Sequence, residues 1–224
     1  MKRSKILTLL WAVLAALVLL TGAIAAPILC RSFYYAHIDA LDLTEQIGLS
    51  ETEIRRAYNE MMDYCTGGDT FSTGILPHSQ EGASHFADVR SLFLLDLGLL
   101  AGSMAACVVL FVLTRLLKRR CAPILGRGPG FWAGAGLGVS FAVIGGLAAL
   151  DFDRAFVVFH HLFFPGKDNW LFNPNTDPII FILPQVFFRN CALLMLGLLL
   201  VGCIGMIVWD FVRPKVQFTR DYTG

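Results

Sequence analysis

ILTLLWAVLAALVLLTGAIAAPI, residues 6–28, is the stretch whose reading decides the fold. It carries no charge and follows Lys2, Arg3 and Lys5. As a helix rising ~1.5 Å per residue it can cross about 30 Å of hydrocarbon. Its basic start and the Ala23-Ile24-Ala25-Ala26 stretch resemble a cleavable signal peptide. The apolar run is longer than the usual signal core of about 7–15 residues, so we read it as a retained span. A lipid-anchored terminus at Cys30 is not expected, because Leu29 stands where a small residue is required.

Working outward, three further uncharged runs have spanning length. Leu97–Thr114 lies within a longer helix that begins near Asp88 and ends at Arg115 or Lys118. Phe131–Leu150 and Asn190–Trp209 follow. The composition agrees, with 56% hydrophobic and 16% charged residues, against about 25% charged in soluble proteins. The expected fold is all-α: a four-span transmembrane helix bundle in one integral membrane domain. The spans cover about 6–28, 89–117, 131–151 and 190–210. The first of two extracytoplasmic segments, 29–88, is partly helical, and the second covers 152–189.

Charge placement sets the orientation. Basic residues gather in 1–5, from the end of the second span through 118–130, and in the tail 211–224: Lys2, Arg3, Lys5, Arg115, Lys118, Arg119, Arg120, Arg127, Arg213, Lys215 and Arg220. Acidic residues gather in the other two connections, from Asp39 to Asp69 and from Asp151 to Asp177. Both termini are therefore expected in the cytoplasm. The 18 basic and 17 acidic residues nearly cancel, so no nucleic-acid partner is expected. Gly130, Gly134 and Gly138, and likewise Gly98 and Gly102, are spaced four apart, as suits close helix contact.

In the first outer segment Ser50-Glu51-Thr52-Glu53 fits a capping box. Ile54, Ala57, Tyr58, Met61, Met62 and Cys65 then recur at helical spacing until Gly67-Gly68. That apolar face can pack onto the rest of the protein or lie on lipid headgroups, and packing is favoured. Cys30 and Cys65 fall on the same side and could pair. Cys107, Cys191 and Cys203 read as small packing residues within spans.

The second outer segment, FHHLFFPGKDNWLFNPNTDP at 159–178, is broken by turn signals at Pro165-Gly166, Asn173-Pro174 and Asp177-Pro178. Phe163, Phe164, Trp170, Leu171 and Phe172 suit the membrane–water interface. With Ile179–Phe188 it reads as a re-entrant or surface-lying lid, since irregular backbone at that depth must be buried in protein or line a wet cavity.

All five histidines fall on the outer side. His85 and Asp88 share a helix face three residues apart, where a carboxylate can orient an imidazole. Leu92 and Asp96 continue that face, and an acid inside the membrane is a functional candidate by default. His160 and His161 sit on the outer side, beyond the end of the third span, and an imidazole at a membrane surface can take and give a proton near neutral pH. Asp168, Asn169, Asn173, Asn175 and Asp177 are closely spaced oxygens. They read as an Asn-rich turn rather than a calcium site, and no metal is expected. No serine-nucleophile, phosphate-loop or zinc motif appears.

Two stretches resemble a known family. His85-Phe86-Ala87-Asp88-Val89 resembles its His-x-x-Asp-Val element. Phe159-His160-x-Leu162-Phe163-Phe164, then Asp168, Trp170, Asn173-Pro174, Asp177, Ile179-Ile180, Pro184 and Phe187-Phe188, resembles its second element. With the outer helix ending near Tyr64 and the four-span layout, the chain is similar to the bacterial integral membrane proteins that include the lipoprotein intramolecular transacylases. The resemblance implies an acyltransferase with no cofactor, moving the sn-2 acyl chain of a diacylglyceryl-cysteine to that cysteine's α-amino group. The substrate would be a bacterial lipoprotein in the membrane lipid, and the product its lyso-form. It implies catalysis by His85 and His160, with Asp88 orienting His85 and with Asp168, Trp170 and Asp177 shaping the lid. His161 and Asp96 are carried as supporting candidates. The rivals are another membrane lipid hydrolase or acyltransferase and a non-enzymatic envelope protein. A transporter is disfavoured, because few charges lie within the spans.

Overall fold

The computed structural model describes residues 2–212. Four helices are long and apolar enough to cross a membrane: α1 (Lys5–Leu29), α5 (Gln80–Leu116), α6 (Pro129–Leu150) and α9 (Gln185–Val212). Between α1 and α5 come α2 (Arg31–Ala40), α3 (Leu43–Ile47) and α4 (Glu51–Cys65). Between α6 and α9 come α7 (Phe152–Phe163) and the single turn α8 (Ile179–Ile182). The tail residues Arg213, Lys215 and Arg220 lie outside the described residues.

At one end a short parallel strand pair joins β1 (Lys2–Ser4) to β2 (Arg119–Cys121), in the register Lys2 to Arg119 and Ser4 to Cys121. One turn on, the Thr8 hydroxyl donates to the Ala122 carbonyl at 2.6 Å. The start of α1 is thereby fastened to the chain leaving α5. Within the bundle α1 packs against α5, α6 and α9.

α6 and α9 pack closely because α6 offers glycine at the contact. A Cβ on Gly134 would come within 2.6 Å of the Cys203 carbonyl, and one on Gly130 within 2.8 Å of that of Met206. Gly98 and Gly102 behave differently from the expectation: nothing lies within 4 Å of where their Cβ atoms would stand. That pair faces outward, so its spacing serves no helix contact.

The densest core lies beyond the spans, in a cap at the other end. Tyr34, Ile38, Leu43, Ile54, Ile179 and Ile182 are the large side chains most completely enclosed there. Tyr34 stacks on Tyr58 with ring centroids 3.7 Å apart, and its hydroxyl donates to the Ile182 carbonyl at 2.8 Å. The division follows from the solvent. In lipid, apolar side chains gain little by turning inward, and the spans expose Leu95, Val108, Val143 and Val201. In the cap, water restores the hydrophobic drive.

α4 begins at the capping box, with both the Ser50 and Glu53 bonds formed, and buries Ile54, Ala57, Tyr58, Met61, Met62 and Cys65. Its apolar face thus packs onto protein. Cys30 is exposed and Cys65 buried, both with free thiols, so the two are not joined. α2, α3 and α7 go beyond the single helix read in the first segment and the irregular lid read in the second. α7 starts where Asp151 breaks α6 with extended backbone and accepts the Arg154 N–H at 2.9 Å. An N-cap of this kind restarts the helix on a new axis.

Candidate active site

The site is built where the first turns of α5 meet α7 and the loop 164–178. α5 is 37 residues long, about 55 Å at 1.5 Å per residue, far more than about 30 Å of hydrocarbon requires. Its polar first turns, before the apolar run from Leu92, stand clear of the membrane-spanning part. Ser79 caps it, accepting the Gly82 N–H at 2.9 Å. The loop is anchored on that cap, since Asp177 Oδ1 accepts the Ser79 N–H at 2.7 Å and Oδ2 accepts from Thr176 at 2.6 Å. Burial alone would raise the Asp177 carboxyl, but the bonds from Thr176 and Ser79 hold it below the ordinary value. Gly82 is required here, because a Cβ would collide with Asp177 Oδ1.

His85, one turn further, is buried and faces His160 of α7 with ring centroids 5.9 Å apart. Phe164 and Phe172 meet the His85 ring edge-on at 5.0 and 5.5 Å. Trp170 stacks on His160 at 4.5 Å, and Phe156 lies 4.2 Å from it. His160 Nδ1 donates to the Phe156 carbonyl at 2.7 Å. A carbonyl can only accept, so the neutral ring keeps its free lone pair on Nε2.

Burial first, and then the neighbouring His160, push the His85 imidazole down to about 4; Asp88 and Asn169 pull weakly the other way. Burial likewise lowers His160, partly opposed by its bond to Phe156. Both shifts favour the neutral ring at pH 7.

Asp88 does not hydrogen-bond to His85, contrary to the orienting role expected from their spacing. Its carboxylate takes Lys167 Nζ at 2.5 Å and Asn169 Nδ2 at 3.0 Å. Burial works to raise it, and those two partners lower it overall. Asn169 also reaches Ser84 Oγ at 3.4 Å, so Ser84 engages an amide and no imidazole. Beside this network runs an open groove of about 260 Å³, lined by Asp88, Ser91, Leu92, Phe163, Pro165 and Lys167 together with Phe164. It is apolar along one wall and charged at its mouth.

The other expected residues divide. Trp170 belongs to the site, and Asp177 holds the loop over it. His161 is exposed and touches only the edge of Trp170, at 5.8 Å. Asp168 is exposed on the loop. Asp96 lies two turns further along α5, buried, with Oδ2 unpartnered. His37 is structural: its Nδ1 meets the Phe33 carbonyl at 2.7 Å and its Nε2 meets Asn190 at 3.0 Å. Among the described residues no cluster could hold a metal ion. Sequence reasoning passed over Lys167 and took Asn169 only as part of an Asn-rich turn; nothing local in the sequence marks either as a partner of Asp88.

A membrane-embedded helix bundle with a buried imidazole pair under a pinned loop defines a class of multi-pass membrane protein with its candidate site at one end. Its lineage is specific: residues 9–188 match the family described as lipoprotein intramolecular transacylase Lit, and the chain belongs to that family of acyltransferases. Among solved structures it is similar to the lipoprotein intramolecular transacylase Lit from Bacillus cereus, with 24% identity and a TM-score of 0.81. The match covers 91% of this chain and 92% of that one. Two single-substitution variants of the Bacillus cereus protein, histidine to arginine and histidine to alanine, match at 23% identity and a TM-score of 0.75. These cover 92% of this chain and 89% and 91% of theirs. These likenesses concern the fold. No curated protein matches the chain in sequence.

Proposed function

We propose that the protein moves the sn-2 acyl chain of a lipoprotein's diacylglyceryl-cysteine to the α-amino group of the same cysteine, with His85 and His160 carrying the protons. The observation that carries this reading is the pair of neutral imidazoles 5.9 Å apart within aromatic walls. The amine nitrogen attacks the ester carbonyl carbon; a C–N bond forms and the C–O bond to glycerol breaks. One imidazole takes the proton leaving nitrogen, and the imidazolium so formed gives that proton, directly or through the other ring, to the glyceryl oxygen. The bare Nε2 of His160 can take the proton and, once protonated, give it up. Donor and acceptor belong to one molecule, so holding them close replaces a bimolecular encounter, and no acyl carrier is needed. The groove along Leu92, Phe163 and Phe164 has the apolar wall an acyl chain requires.

We assign the site to the extracytoplasmic face. The strand-paired end concentrates Lys2, Arg3, Lys5, Lys118, Arg119 and Arg120, which favours the cytoplasm by the positive-inside rule. The substrate lies in the outer leaflet of that membrane, on the opposite side.

The test is mass spectrometry of a lipoprotein N-terminus from cells with and without the gene. N-acyl, monoacylglyceryl cysteine should appear only with it. Unchanged lipoproteins despite good expression would refute the reading, and release of free fatty acid instead would make the protein a hydrolase.

A further inference from the structure

Two buried polar atoms of the site have no partner: His85 Nδ1 and Asn169 Oδ1. A buried polar group left unbonded is costly and calls for an explanation. The two residues are neighbours, and the Asn169 side chain works to raise the His85 imidazole against its burial. Its amide is held on both sides of that ring along α5. Nδ2 donates to Asp88 Oδ2 at 3.0 Å and approaches Ser84 Oγ at 3.4 Å.

Asp88 decides which way the amide faces. A carboxylate only accepts, so the NH₂ group must point toward it and the amide oxygen is left for another partner. Asp88 cannot turn away, because Lys167 grips its other oxygen.

We propose that Asn169 is the positioning residue of His85: its Oδ1 accepts a hydrogen bond from Nδ1–H and so leaves Nε2 bare, the state in which the ring can receive a proton. The bond tightens when the site fills, as catalytic hydrogen bonds do. Asp88 then acts on His85 at one remove, through the amide, and the run Lys167–Asp88–Asn169–His85 couples the seated loop to the tautomer. An amide suits this place better than a carboxylate would, because it fixes the ring without adding a charge that favours the imidazolium. The role rests on the acyl-transfer reading, in which His85 carries a proton.

The test uses the full chain in detergent with ¹⁵N-labelled histidine, the His85 signals being assigned by their loss in His85→Ala. In the wild type His85 should show Nδ1 protonated and Nε2 bare. Asn169→Ala should give a mixture of tautomers, and the near-isosteric Asn169→Asp should keep the wild-type one. On a diacylglyceryl-cysteine lipopeptide, Asn169→Ala should lower kcat by ~10-fold or more, with KM little changed. Asn169→Asp, which loses the donor to Asp88 but keeps an acceptor for Nδ1–H, should restore part of that activity and move the acid limb of the pH profile upward, because a carboxylate joins Asp88, Lys167 and His160 as the charged and titratable groups around the ring. An unaltered His85 tautomer in Asn169→Ala overturns the proposal, as does an Asn169→Asp variant equally impaired with its acid limb unmoved. Failure of the wild type to convert the lipopeptide refutes the acyl-transfer reading instead, and the tautomer measurement still decides the role of Asn169.

Discussion

Asp177 reaches back 98 residues to accept the backbone N–H of Ser79 at 2.7 Å. The bond joins the loop that covers the imidazoles to the cap of the helix that carries His85. Loop and helix end thus behave as one body, and the space between them is set by the missing side chain of Gly82.

Gly82→Ala should pry them apart. Overpacking of this kind costs about 1–3 kcal/mol, and because the displaced groups are Asp177 and Phe172, activity should fall further than the loss in Tm suggests. Lipopeptide turnover and thermal unfolding measured side by side check this.

His85→Ala and His160→Ala should each lower acyl transfer by ~10²–10⁴-fold, the usual worth of a proton carrier. The double variant should be little worse than either single one, since groups acting as a unit are not additive. Turnover of a diacylglyceryl lipopeptide by each purified variant measures this.

Stability should depend on pH through His85. Its ring titrates at about 4 when folded and at 6.5 otherwise. In that window the unfolded chain binds a proton that the folded protein refuses, so stability is full above pH 6.5 and falls as the pH drops toward 4. His160, lowered in the same direction, adds to the slope. Thermal unfolding across this range should show a shallower slope in His85→Phe.

Gly134→Ala should push α6 away from the Cys203 carbonyl of α9 and cost about 1–3 kcal/mol. Gly98→Ala, with open space around it, should leave Tm unchanged. The pair separates contact glycines from lipid-facing ones with the same spacing.

Ile182→Ala in the cap should cost about 2–5 kcal/mol, as buried aliphatic truncations do, because Ile182 is wholly enclosed. Val201→Ala, 72% exposed on α9, should have little effect on unfolding in detergent. The reverse order would relocate the core to the spans.

The spans were legible because each is a long uncharged run, a property of the chain itself. α4 was legible because Ser50 and Glu53 cap each other within one turn. The network around Asp88 was hidden for the opposite reason. Helical spacing sets His85 and Asp88 on one face, yet Lys167 arrives from 79 residues away and takes the carboxylate. α7 was obscured by reading residues 159–178 as the unit, when the helix already starts at Asp151. Gly98 and Gly102 show the limit of spacing motifs: what a helix face meets depends on neighbours that only the assembled bundle supplies.

The central place of α1 has a consequence for how the molecule is made. The helix synthesised first touches α5, α6 and α9, every one of which leaves the ribosome later. Its start is closed only when residues 119–122 arrive, and its Leu19 fills the space beside Gly202 of the last helix. Insertion and assembly are therefore separate events: α1 enters the membrane before its partners, and its packing is complete only when α9 arrives.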